Sequence, residues 1–545
     1  MQGSQTAEIR PSTGLHRWPL VAALGLWAAL ATRANFLIDD AFISFRYARN
    51  WVELGLPAYN PGESPPVEGY SNFLWVYLLR LAYGAGWSLE IASRVVSGIA
   101  AAAAIVVLDQ GLRRARLGAL AHSMGLLALA ASAPFAVWTT GGLETSLFTL
   151  LLLSSFHVLS GESGPASAHK RGVVAGLLAL GLAMTRPEGF LWVIGLALCA
   201  RMVPNRLGRW KQYLSFGLVL LVGMAGFLGW RWSMHQAWLP NTVYAKASLS
   251  SETLGRGLRY AASFALLCPA FGLAVLAAPF APDRRLAVAC FGMLFGGLAY
   301  SIAAGGDWMP FFRFLAPVTP FLAMLLALGV QRNPRPMAAL AAVATALGVF
   351  PIFDQDLAPE RLRRALDFRG FQVGFTSEWQ RWQVGNQNLE RFSLIGRGLG
   401  QIGRPGDSIT YGAIGAIGWY SNLTIHDRNG LVDREVARLA VSDTTRSAGH
   451  DKRVPRAWFI DREPTFYHAA TAPLPIPDIS SPLFAKVLPQ FTRKIFHHDP
   501  GEGLLKQHCV PDVYLLEEAP GVPAGTTLLV LRHSDPAAAR AYWGE

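Results

Sequence analysis

The sequence predicts a polytopic α-helical membrane protein, with about eleven transmembrane helices plus interfacial helices, followed by a polar C-terminal domain of α/β or α+β type. Three observations carry this prediction. Hydrophobic residues make up 52% of the 545 and charged residues only 15%, with a mean hydropathy of +0.29, which is too apolar for a soluble chain of this length. Apolar runs of about 15 to 25 residues, the length that crosses a bilayer, recur from residue 18 to residue 353. From about residue 354 prolines, charges and short mixed segments replace them, so the chain divides into a transmembrane part, 1–353, and a soluble part, 354–545.

The net charge of +12 points to the bilayer, because arginine-rich inner loops lie beside anionic lipid. No run interleaves basic with aromatic residues in the way a nucleic-acid surface would, so nucleic acid is not an expected partner. Cys199, Cys268 and Cys290 fall in apolar segments and Cys509 stands alone in the polar third, which excludes a disulfide framework and a CxxC metal site. The segment from Met1 to Arg17 leads into the first apolar run without a small-residue cleavage pattern, and that run is expected to be a retained anchor.

The expected spans are 18–36, 91–111, 119–137, 144–160, 172–186, 188–202, 213–233, 258–281, 286–304, 314–331 and 336–353. The stretch 71–87 is ambiguous, and the positive-inside rule decides it. Basic clusters occur at Arg113, Arg114 and Arg116, at Lys170 and Arg171, at Arg201, Arg206, Arg209 and Lys211, at Arg284 and Arg285, and at Arg332 and Arg335. If 71–87 does not cross, every cluster falls on the side of the N-terminus, which is then cytoplasmic. That stretch is therefore expected to be a helix along the outer interface, where its Tyr and Trp are at home.

The same parity gathers the polar segments on the outer face. They are Asp39-Asp40, YNPGESPPVEGYSNFLW at 59–75, GGLET at 141–145, TRPEG at 185–189, LPNTVYAK at 239–246 and GGDWMPFFR at 305–313. After Asp40, the positions Phe45, Ala48 and Val52 share one helical face and Arg46, Arg49 and Glu53 another, which predicts a short amphipathic helix on the membrane surface. In the polar domain, strands are expected at 408–413 and 422–427, with glycine-rich turns between them. The segment 412–418 resembles a phosphate loop only loosely, since it lacks the lysine and the spacing of one.

Asp39 and Asp40 are the lead catalytic candidates, because carboxylates where a span meets water stay ionised beside a substrate whose tail lies in lipid. Their bland alternative is a helix N-cap that ends a span. If Asp40 is the N-cap, Asp39 is the freer of the two. Glu144 can serve as a helix-dipole partner, or can join the pair to activate a hydroxyl, to hold a divalent cation, or both. Lys246, Arg186 and Arg313 either snorkel or bind an anionic headgroup such as a lipid phosphate. Asp307 can pair with Arg313 or meet the substrate. Tyr70, Trp75, Tyr244 and Trp308 can stack on sugars or belong to the interfacial belt. Glu68, Asn72 and Asn241, within the same outer motifs, complete the set of candidate substrate contacts.

The order IDDAFISFRYARN, YNPGE, VEGYSNFLW, GLET, TRPEG, LPNTVYAK, GGDWMPFFRFLAPVTP and IGAIGWYSNLTIHDRNGLVD resembles the GT-C superfamily of bacterial membrane glycosyltransferases, close to the arabinofuranosyltransferase AftB, over residues 35–435. The resemblance implies transfer of a sugar, arabinofuranose in that group, from a polyprenyl-phosphate donor to a cell-envelope glycan or glycoprotein. It implies catalysis by Asp39 or Asp40 with Glu144 as a second acidic residue. It also implies donor-phosphate binding by Lys246 and Arg313, with Arg186 and Arg46 as second choices. No cofactor is implied with certainty, and a divalent cation is compatible. The alternative is a transporter or flippase of lipid-linked sugars, which should carry ionisable groups at mid-span and inverted repeats. Here the carboxylates stand at span ends, and no repeat is visible.

Overall fold

Prolines and glycine pairs decide where the apolar runs become helices. The computed structural model describes residues 17–161, 165–202, 209–246, 250–355, 357–369, 376–440, 452–496 and 501–544. The expected anchor's leading residues 1–16, and Arg206 of the third basic cluster, lie outside them. The chain opens with α1 (Trp18–Arg33), α2 (Asp39–Glu53), α3 (Phe73–Gly84) and α4 (Leu89–Arg114). It continues through α5 (Ala119–Ala130), α6 (Ala133–Val137), α7 (Thr145–Ser160), α8 (Pro165–Thr185), α9 (Gly189–Met202) and α10 (Arg209–His235). Then come α11 (Asn241–Lys246), α12 (Ser251–Leu267), α13 (Pro269–Ala277), α14 (Arg284–Ala303), α15 (Thr319–Arg332) and α16 (Pro334–Val349). Helix α8 packs on α10, α4 on α7, and α5 on α15.

Each expected span falls on a helix or on consecutive helices, but the expected number is not reached by length and composition. Five described helices are long and apolar enough to cross a membrane, or six if one bent pair counts as a single span. That pair replaces the expected span 258–281. It bends by 90° between α12 and α13, where Pro269 cannot donate to the preceding turn and its ring clashes with it. The expected span 119–137 is likewise cut into α5 and α6, with Pro134 in the first turn of the second. Helix α3 has 12 residues. At about 1.5 Å per residue it is shorter than the ~30 Å apolar core of a bilayer.

The polar part follows with α17 (Glu360–Ala365) and α18 (Glu378–Ile402), the latter opened by a capping box between Ser377 and Gln380. Next come β1 (Ser408–Tyr411), α19 (Gly415–Ser421), β2 (Thr424–Asp427), β3 (Phe466–Ala472), β4 (Cys509–Leu515) and β5 (Thr527–His533). They form a five-stranded sheet in the order β2-β1-β3-β5-β4, in which β1 runs parallel to β2 and β3 while β5 is antiparallel to β3 and β4. Where turns are expected between the first two strands there is a helix, α19. Its Gly415 and Gly418 let it press against α2, because a Cβ on either would overlap the Asp39 carbonyl or the Tyr59 hydroxyl.

That contact also changes the reading of α2. The expected polar face is only partly wet, since Glu53 is exposed but Arg46 is fully buried beneath α19. Its Nε donates to the carbonyl of Tyr59 (2.8 Å), and its two terminal nitrogens donate to Gly418 (2.6 Å) and Leu423 (2.7 Å). One face back along the same helix, Asp39 accepts from the amides of Ala416 (2.8 Å) and Gly415 (3.3 Å). A carboxylate thus meets the positive end of α19 and a guanidinium meets the carbonyls at and beyond its other end, as the helix dipole favours. Asn60 adds a two-way bridge to the backbone of Ile425, and one apolar core runs from α2 into the sheet.

Candidate active site

The outer segments named from the sequence converge on one cavity of about 460 Å³. Helix α2 supplies Asp40 and Ser44, and the loop before α3 supplies Tyr70 and Asn72. Glu144 stands at the N-terminus of α7, Arg186 and Glu188 between α8 and α9, and Lys246 at the end of α11. Asp307, Trp308 and Arg313 enter from the loop between α14 and α15. That loop is strongly bent. Gly305 and Gly306 have φ of +74° and +78°, and Phe311 and Phe312 are left-handed at +55° and +51°, which is costly for non-glycine residues. A buried ion pair holds the loop in this shape. Arg369 binds Glu378 through both terminal nitrogens (2.8 and 2.9 Å) and donates to the carbonyls of Trp308 and Met309, while Glu378 accepts from the Phe311 amide (2.6 Å).

Most charges around the cavity are partnered. Arg186 lies between Glu188 (2.9 Å) and Glu144 (3.4 Å), and the other Glu144 oxygen accepts from Asn72 (2.9 Å), whose amide also reaches Ser44 (3.1 Å). Burial works against the Arg186 charge, but Glu188 and Glu144 outweigh it and keep its pKa above the ordinary arginine value. Arg313 donates to Asp307 (2.7 Å) and leans on the rings of Trp138 and Phe314. Asp40 and Lys246 have no hydrogen bond or ion pair among the described residues. Desolvation lowers the Lys246 pKa, and Asp40 is the strongest influence holding it up.

The Asp pair is therefore divided differently from the expectation that an N-cap role at Asp40 leaves Asp39 freer. Ile38 is the N-cap, both aspartates are in the first turn, and it is Asp39 that is tied to backbone amides. Burial raises the Asp39 pKa to about 7 against the pull of those amides. Several other expected residues stand outside this cavity. Arg46 is spent on the carbonyls beneath α19. Glu68 pairs with Arg231 (2.8 Å), and Asn241 donates to the carbonyls of Gly430, Leu431 and Asp433. Tyr244 lies beneath Arg438, and Trp75 is fully buried with its indole N–H on the Gly142 carbonyl (3.3 Å).

Glu188 is a site residue that sequence reasoning missed, although its signal was present: a buried Arg186 two positions before it needs a carboxylate partner. Tyr300, which lines the cavity from α14, and the Arg369–Glu378 pair carry no sequence signal, because only the fold brings them to the loop. Among the described residues no three His, Cys, Asp or Glu side chains converge as metal ligands.

Sequence and structural comparisons bear on the fold. A family described as "Domain of unknown function (DUF8728)" matches residues 378–487, which cover α18 and the start of the sheet. No curated protein sequence matches the chain. The structure is similar to ArnT from Cupriavidus metallidurans bound to undecaprenyl phosphate, at 15% identity and a TM-score of 0.52, over 76% of this chain and 86% of that one. ArnT in the apo state gives 14% identity and the same TM-score and coverage. The arabinofuranosyltransferase AftD from Mycobacteria aligns at 12% identity and a TM-score of 0.48, over 95% of this chain and 40% of that one. The likeness to ArnT shows that this chain shares its fold, and at such identity it shows the fold alone.

Proposed function

We propose that the protein is a glycosyltransferase that takes a sugar from a polyprenyl-phosphate donor and passes it to a cell-envelope glycan or glycoprotein on the periplasmic face. The observation that carries this reading is the presence of a carboxylate, Asp40, and an ammonium, Lys246, both without a hydrogen bond or ion pair among the described residues, in a cavity that also holds Arg186 and Arg313. The acceptor oxygen attacks the anomeric carbon, its proton passes to Asp40, and the bond to the donor phosphate breaks with its electron pair on the leaving lipid phosphate. Negative charge grows on that phosphate in the transition state, so Lys246, Arg313 and Arg186 lower the barrier by lying where it grows. Glu144 acts through Arg186 and Asn72, and its contribution is positional.

The fold shared with ArnT, a protein crystallised with undecaprenyl phosphate, supports a lipid phosphate as the kind of donor. The motif order supports arabinofuranose as the sugar. The test is a panel of radiolabelled polyprenyl-phosphate sugars, arabinofuranose included, offered with candidate acceptors to the purified protein in nanodiscs. Transfer that survives in a folded Asp40→Asn variant would sink the mechanism. A wild-type preference for another sugar would remove arabinofuranose and leave the reaction class standing.

A further inference from the structure

A second cavity, of about 570 Å³, opens on the other side of Asp40, between α2 and the sheet domain. This is within the ~300–1,000 Å³ range of small-molecule sites. Asp40, Ile43, Trp308 and Leu431 line both cavities, so the Asp40 carboxylate stands at their junction. The remaining wall belongs largely to the polar domain and is strongly basic, with Arg391 from α18 and Arg428, Arg453 and Arg456 from the loops around the sheet. The lining carboxylates are Asp39 and Asp40, and Asp39 is already tied to the amides of Gly415 and Ala416.

The arginines are held in place. Arg428 donates to the Val454 carbonyl (2.9 Å), Arg456 reaches the His468 ring (3.3 Å), and Arg391 rests on Phe392. Arg391 and Arg453 have no ion pair among the described residues. Burial, then the charges of Arg456, Arg428 and Arg391, holds His468 neutral, as expected where positive potential accumulates. Tyr411 stacks on His468 at 5.3 Å, and with Trp308 it gives the cavity two aromatic surfaces.

We propose that this cavity is the acceptor site and that it takes a saccharide carrying an anionic group, phosphate or carboxylate, held by Arg391, Arg428, Arg453 and Arg456 with a hydroxyl turned toward Asp40. The word acceptor rests on the transferase reading, whereas the binding of an anionic saccharide does not. Planar guanidinium forks match either oxyanion bidentately, so the two share one chemistry. The charge on the bound sugar steers it to the wall remote from the donor cations, leaving its hydroxyl between the two chambers.

The test is equilibrium dialysis of the full-length protein in detergent against three trisaccharides of equal length, one with uronate, one with a phosphate ester, one neutral. At least one charged trisaccharide is expected to bind at least tenfold more tightly than the neutral one, and the one that binds identifies the anion. The double variant Arg391→Gln, Arg453→Gln should weaken that binding at least tenfold and leave undecaprenyl-phosphate binding unchanged. Equal binding of charged and neutral sugars, no binding of any, or a double variant that binds as well as wild type would overturn the proposal. A charged saccharide that binds but receives sugar from no donor would sink the transferase reading and leave the site standing. Transfer to neutral acceptors that the double variant does not affect would do the reverse.

Discussion

Asp40 and Lys246 differ from the other charged side chains around the first cavity in having no protein partner among the described residues, and substitutions there should act on chemistry before they act on stability. Asp40→Asn is expected to cut transfer by roughly 10²–10⁴-fold, the scale of a lost general base, with the unfolding midpoint and undecaprenyl-phosphate binding little changed. Lys246→Met should lower kcat by roughly 10²–10³-fold, as expected for a cation aimed at developing charge. A rise in donor KM with kcat untouched would place Lys246 in ground-state binding only. Asp39 should behave otherwise. Its folded-state pKa of about 7 is above the ordinary carboxylate value of 3.8, so the protonated form favours folding. Its stabilising effect is complete below the ordinary value and is lost as pH rises through about 7. Asn at position 39 cannot ionise, so the unfolding midpoint of wild type should fall relative to that of Asp39→Asn between pH 5 and pH 8. A constant difference across that range would show that Asp39 does not titrate there.

The α2–α19 contact explains why part of this site was legible in the sequence and part was not. Acidic and basic residues at the ends of apolar runs marked the segments that meet at the first cavity, because parity put those run ends together on one face of the membrane. Those runs say nothing about what covers α2, so the burial of Arg46 and the capping of α19 by Asp39 were invisible, as were the helix itself and the Arg369–Glu378 clamp. Glycines at 415 and 418 read as turn-formers, yet their physical role is close approach. A Cβ at Gly415 would overlap the backbone carbonyl of Asp39, which cannot rotate away. Gly415→Ala should therefore push α19 off α2, costing roughly 1–3 kcal/mol as overpacking does, and should slow transfer because Asp40 moves with Asp39. Thermal unfolding and transfer rate measured together check this. A variant with normal stability and full activity would show that the two helices are not pressed together in the working protein.

At the scale of the whole molecule, the helical part and the sheet domain share one apolar core, and residues from both line the cavity that adjoins Asp40. The sheet domain is thus a wall of the site, which the change of texture near residue 354 could not reveal, since composition marks where a segment is solvated and not what it touches. The union also ties orientation to function. If the arginine clusters between the helices lie in the cytoplasm, the α4–α5 junction that carries Arg113, Arg114 and Arg116 must face inward while Arg453, which lines the second cavity, faces outward. Single cysteines placed at Arg116 and at Arg453, in a chain cleared of its four free cysteines, convert this into a measurement. In intact cells a membrane-impermeant maleimide should label position 453 and reach position 116 only after the membrane is opened. Labelling of both from outside would remove the parity argument. Labelling of 116 alone would turn the protein over, placing the basic cavity in the cytoplasm where a periplasmic glycan could not enter it.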